Sequence, residues 1–101
     1  MALKIVVTKR GPAALMVLHG ALDEDSVRVL RLKAQSILAT GHPHLVLDLA
    51  DVVVDPAGMN MLGYVMRIFS LASGTVALRG CDLDLEAELL ALEVALADHA
   101  A

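Results

Sequence analysis

Apolar residues change their spacing along this chain, and the change predicts its elements. Residues 3–8 (LKIVVT) and 14–19 (ALMVLH) are short, aliphatic and rich in β-branched side chains, and KRGPA between them carries a Gly-Pro turn signal. They read as two antiparallel strands of a hairpin. In GALDEDSVRVLRLKAQSILATGH the acids come first, and Val27, Leu30, Ala34, Ile37 and Leu38 then recur at spacings of three and four until Gly41. That pattern predicts an amphipathic helix with Arg28, Arg31, Lys33 and Gln35 turned to water. HLVLDLADVVV, residues 44–54, is too short and too β-branched for a helix and predicts a buried central strand. A second helix is expected from about Pro56 to Leu71, and GTVALRG (74–80) is a short strand between glycines. DLDLEAELLALEVALADH predicts a final helix with Leu85, Leu89, Leu92 and Leu96 on one stripe. The order β-β-α-β-α-β-α implies an α/β fold with a mixed, mainly parallel sheet, because right-handed crossovers return each strand beside its predecessor.

Size and charge narrow the function. With 101 residues, 57% of them hydrophobic, residues 1–101 are expected to form one domain. Eight basic residues against twelve acidic ones, with one Tyr and one Phe, offer neither a basic patch nor a stacking platform, so nucleic-acid binding is not expected. No apolar run approaches the roughly 20 residues of a membrane span, and no cleavable leader opens the chain, so no membrane insertion and a cytoplasmic location are expected. Lone Cys81 cannot form an internal disulfide, which fits a reducing compartment.

Few residues suggest chemistry. His42 and His44 flank Pro43 in an expected turn with no third ligand nearby, and loop histidines are usually solvated. Asp48, Asp51 and Asp55 fall near one strand end, where a carboxylate cluster could hold Mg²⁺, but a helix cap explains Asp55 better and a solvated turn explains Asp51. Phosphate-binding loops, nucleophile elbows and Cys-His pairs are missing from the sequence. Ser26, Ser36, Ser70 and Ser73 are scattered, which suits solvated or capping positions. The expectation is a protein that is not an enzyme and uses no cofactor or metal.

Three segments in order, GALDEDSVRVL, HLVLDLADVVVD and DPAGMNML, resemble the STAS domain of sulfate transporters and anti-sigma factor antagonists. The family shows Gly-x-Leu-Asp before its first helix, matched by Gly20, Leu22 and Asp23. Asp48 and Leu49 match its Asp-Leu strand end, and Asp55 and Gly58 match the Asp-Ser-Ser-Gly-Leu or Asp-Thr-x-Gly-Leu that opens its second helix. The likeness runs from residue 3 to about 82. Beyond it the family has a further strand and helix where this chain is expected to have one helix, a shortened or divergent C-terminal part. The stretch from Asp48 to Asp55 is also one residue shorter than usual.

The resemblance implies a protein–protein interaction module, like an anti-sigma factor antagonist, whose partner is an anti-sigma factor of the serine kinase type. The alternative is a cytoplasmic accessory subunit of an ABC-type lipid transporter, with the transporter ATPase as partner. In members that act as switches, the kinase phosphorylates the hydroxyl directly after the Asp. Pro56 stands there and Ala57 follows, and neither accepts phosphate. Asp55 remains suited to cap the helix and Pro56 to open it, since proline presets φ and the N–H it lacks is not needed there.

Along the second helix Met59, Leu62, Met66 and Phe69 form an expected core face. Met61, Tyr64, Val65, Ile68 and Ala72 form a neighbouring stripe. A helix on one side of a sheet has no use for so wide an apolar surface, and Met suits adaptable binding surfaces. In the resembled family this helix and the turn before it meet the partner. Met61, Tyr64, Val65 and Ile68 are therefore expected to face a partner, with a homodimer through the last helix as a further expectation.

Overall fold

A computed structural model describes residues 2–80. The elements run β1 (Lys4–Arg10), β2 (Ala13–Leu22), α1 (Val27–Ala39), β3 (His44–Val54), α2 (Pro56–Leu71) and β4 (Thr75–Arg79). The expected final helix, Cys81 and the expected dimer contact lie outside the described residues. The sheet order is β1-β2-β3-β4, with β1 antiparallel to β2 and the other pairs parallel, as the alternation of strands and helices predicts.

Each crossover moves one strand further in the same direction, which places both helices on one face of the sheet. Ala14, Met16, Leu18 and Leu22 of β2 and Leu45, Leu47 and Leu49 of β3 point into that layer. They meet Leu30, Ala34 and Ile37 of α1 and Leu62, Val65, Met66 and Phe69 of α2. Register extends the core outward: Ile5 and Val7 pair with Leu18 and Met16 on one side, and Val76 and Leu78 pair with Leu45 and Leu47 on the other. All four are half-buried against the core. Strand β2 is longer than its apolar run suggests, because Gly20 continues it at φ +105°, a backbone that favours glycine. A Cβ at Gly20 would sit 2.2 Å from the Ala2 carbonyl oxygen.

The apolar pattern of β3 conceals a bulge. Val17 pairs with Asp48 and His19 with Asp51, so two steps on β2 match three on β3. The extra residue changes which positions face inward. Leu45, Leu47 and Leu49 are buried before it, whereas Val52 and Val54 pack on the core after it, leaving Asp51 and Val53 exposed. The expectation of a buried strand therefore holds for its first half and fails for its second.

Candidate partner-binding site

Helix α2 starts at the turn singled out in the sequence. Asp55 has extended backbone (φ −91°, ψ 179°), and its Oδ1 accepts from the Gly58 N–H at 2.8 Å. The Met59 N–H donates to the Asp55 carbonyl at 2.8 Å, and Pro56 occupies the first helical position. The Asp55 N–H donates to the Leu22 carbonyl at 3.2 Å, joining the turn to the end of β2. Gly58 makes the junction possible: a Cβ there would fall 2.2 Å from the Leu22 carbonyl oxygen and 2.9 Å from its Cγ. Leu22 and Gly58, both in the sequence motifs, are thus one packing unit. The backbone of the helix rests directly on the end of the strand.

This junction leaves Pro56 exposed and Ala57 half-buried. Val54, Asp55, Pro56, Met59 and Asn60 line a shallow depression of about 320 Å³. Val53 stands at the tip of β3 with 69% of its surface exposed. Asn60 is not marked by any sequence pattern, Val53 falls within the stretch expected to be a buried strand, and the spacing of Met59 predicts the core face. Met59 does pack on the core while also lining the depression. The signal for Val53 was the bulge, which a single sequence does not reveal.

The expected partner-facing stripe divides. Val65 is 0% exposed and belongs to the core, which corrects its assignment to the partner surface. Residues three and four apart share a broad helical face, so an apolar stripe alone does not locate its edge. Met61, Tyr64 and Ile68 are half-buried and packed against the core. They lie on the flank of α2 toward α1, where the Gln35 Nε2 donates to the Tyr64 hydroxyl at 3.2 Å. The stripe and the turn are therefore distinct parts of α2.

The other polar residues have separate partners. Asp48 Oδ1 accepts from the Ala50 N–H at 3.1 Å, and its Oδ2 lies 3.5 Å from Arg79 Nε. Asp51 Oδ2 lies 2.7 Å from His19 Nδ1 on the sheet face opposite the helices. With Asp55 engaged as a cap, the three carboxylates do not converge. His44 opens β3 instead of lying in the turn, which corrects that placement, and its Nδ1 is 2.9 Å from Thr75 Oγ1. His42 Nδ1 is 3.1 Å from Thr40 Oγ1. Ser26 is buried: its Oγ donates to the Ala21 carbonyl at 2.8 Å and accepts from the Asp23 N–H at 2.9 Å. Asp23 Oδ1 in turn accepts from the Asp25 and Ser26 N–H groups, so the acids before α1 organise its entry.

Comparison with protein-family models gives no match, nor does comparison with curated proteins. Solved structures do match. An anti-sigma factor antagonist from Mycobacterium paratuberculosis aligns with a TM-score of 0.72 at 20% identity, over 93% of this chain and 82% of that one. The anti-sigma factor antagonist SpoIIAA in its unphosphorylated form aligns with a TM-score of 0.69 at 18% identity, over 84% of this chain and 78% of that one. Mglu aligns with a TM-score of 0.67 at 23% identity over 77% of this chain, which spans 20% of the length of Mglu. No helix among the described residues is long and apolar enough to cross a membrane. With its hairpin, parallel crossovers and glycine-tight entry to α2, the chain has the STAS-like fold of the solved anti-sigma factor antagonists.

Proposed function

We propose that this protein is a non-enzymatic interaction module of the anti-sigma factor antagonist type, whose partner is an anti-sigma factor of the serine kinase class. The observation that carries the reading is the β3–α2 junction. Asp55 and Gly58 hold α2 on the end of β2 and leave Pro56 and the depression lined by Met59 and Asn60 open to a partner. The likeness of fold to solved antagonists supports the same reading.

Pro56 and Ala57 make this module unresponsive to phosphorylation at the junction. A phosphate on the first helical residue would add close to two negative charges beside the helix N-terminus and within a surface that must desolvate on binding. Neither side chain has the oxygen to carry one. Binding through this surface is accordingly constitutive.

The test is a pull-down from native lysate with mass spectrometric identification, repeated with the Pro56→Asp variant. Recovery of a serine kinase-type anti-sigma factor with the native chain, and its loss with the variant, is the expected result. Recovery of an ABC transporter ATPase instead would replace this reading with the accessory-subunit one.

A further inference from the structure

Charge separates along the strand axis. Strands β2, β3 and β4 are parallel, so they start at one end of the sheet and finish at the other. Lys9, Arg10, His42 and His44 lie where they start, with no carboxylate among the described residues there. The described carboxylates lie toward the finishing end: Asp23, Glu24 and Asp25 on the β2–α1 loop, Asp48 and Asp51 on β3, and Asp55 at the α2 cap. Asp51 is beside His19 and Asp48 beside Arg79, while Asp23 Oδ1 accepts N–H groups of its own loop. Glu24, Asp25 and Asp55 make no ion pair among the described residues, although Lys4 and Arg28 share this end.

Val53 and Leu71 are equally exposed, each at 69%, but their settings differ. Leu71 ends α2 beside exposed Ser70, Ala72 and Ser73, at the end where the strands start. Scattered exposure of that kind is ordinary. Val53 instead stands one residue before the junction side of β3. It pairs in register with Ala21, and Val54 with Leu22, so the β2–α1 loop and its acids leave the sheet beside it. Val54 packs on the core and lines the depression with Pro56, Met59 and Asn60, whereas Val53 points to the other face of the strand. Apolar surface therefore continues around the tip of β3. That tip is also stiff: the Asp55 cap and the close approach of Gly58 to Leu22 fix its backbone, and a β-branched side chain has little rotamer freedom to lose.

We propose that Val53 anchors the protein partner at the β3–α2 junction, and that the partner surface receiving it is an apolar pocket with Lys or Arg at its lip, set against Glu24, Asp25 and Asp55. This rests on the reading above in placing the partner at the junction. It extends that interface around the tip of β3 onto the sheet face opposite the helices, and across to the β2–α1 loop. A neutral lip would strip water from three carboxylates and return no counter-charge, and an acidic lip would repel them. A second copy fits this place less well. Its own carboxylate-free surface is at the far end of the sheet, and a contact between unlike ends builds an open chain instead of a closed pair.

Binding kinetics of the full chain with a purified cognate anti-sigma factor of the serine kinase type test this, each variant being checked for fold by circular dichroism. Val53→Asp should weaken binding by roughly a hundredfold and Val53→Ala, which adds no charge, by about tenfold, while Leu71→Asp should stay within about twofold of the native chain. The double variant Glu24→Lys, Asp25→Lys reverses two exposed charges. It should slow association by about tenfold at about 50 mM salt, and the native rate should fall toward that of the variant at about 500 mM. Arg10→Glu, at the other end of the sheet, should leave the rate within about twofold. Native binding that Pro56→Asp abolishes and both Val53 variants leave intact would overturn this proposal while the antagonist reading stands. No binding by the native chain would overturn both. An association rate indifferent to salt and to reversal at Glu24 and Asp25 would remove the basic lip. Sedimentation showing self-association of the native chain that Val53→Asp abolishes would put a second copy in the partner's place and overturn the proposal as well.

Discussion

Gly58 shows how much one residue decides. The Leu22 carbonyl oxygen stands where a Cβ would be, so any side chain must push α2 off the end of β2. The Gly58→Ala variant is expected to lose about 3 kcal/mol or more, the upper range for overpacking, because the obstructing atom is backbone and cannot turn away. Asp55→Ala removes only the bond from the Gly58 N–H and should cost about 1 kcal/mol, the usual price of a lost N-cap. Urea unfolding of the two variants should preserve that order. An equal loss would mean that capping, and not close approach, governs the junction.

Two helix ends make a comparison at the scale of elements. Both α1 and α2 end in the same motif, with the N–H two residues past the cap bonded to the carbonyl five residues back and the N–H before it to the carbonyl three residues back. His42 donates to Ile37 and Gly41 to Leu38 after α1; Gly74 donates to Phe69 and Ser73 to Ser70 after α2. The left-handed position is Gly41 in the first, at φ +85°, and Ser73 in the second, at φ +59°. Since serine bears the Cβ penalty there, Ser73→Gly is expected to stabilise the protein by roughly 0.5–1 kcal/mol, read as a raised thermal midpoint. An unchanged or lowered midpoint would refute it. The flanks of α2 give a second contrast. Leu62→Ala and Phe69→Ala open cavities at residues with 0% exposure and should cost roughly 2–5 kcal/mol. Met61→Asp and Ile68→Asp alter half-buried sites and should cost less stability while abolishing association through this flank. If they unfold the chain as severely, this flank is core.

At the scale of the whole molecule, the junction and the α1–α2 flank are separate surfaces, so a change at one need not disturb the other. Phosphate is the reagent that distinguishes the junction. Incubation with a cognate serine kinase and ATP should leave the native chain without added mass, while Pro56→Ser should gain one phosphate. A phosphopeptide from the native chain mapped to Ser70 or Ser73 would relocate the switch and end the constitutive reading.

How much of this was legible in the sequence differs by element. The span of α2, expected at about Pro56 to Leu71, was readable, because Asp55 and Pro56 mark its start and its apolar spacing is helical throughout. The four strands and their order were readable because β-branched runs alternate with helical periodicity. Strand ends were less so: β2 runs on to Leu22 through a glycine that ordinarily signals a stop. The junction was readable as a motif, but the contact that explains its glycine was not.

What the sequence determined by itself is local: periodicity, capping and turn chemistry act within a few residues, and so they are written along the chain. That local code also settles that Pro56 and Ala57 carry no hydroxyl. Only the tertiary structure decided the facing of each side chain. The bulge opposite Val17 and His19 turned Asp51 and Val53 outward, and the packing of α2 placed Val65 inside while leaving Met61, Tyr64 and Ile68 half-covered. Burial depends on which distant element arrives at a given flank. Strands and helices far apart in the chain settle that together, and no window of neighbouring residues contains it.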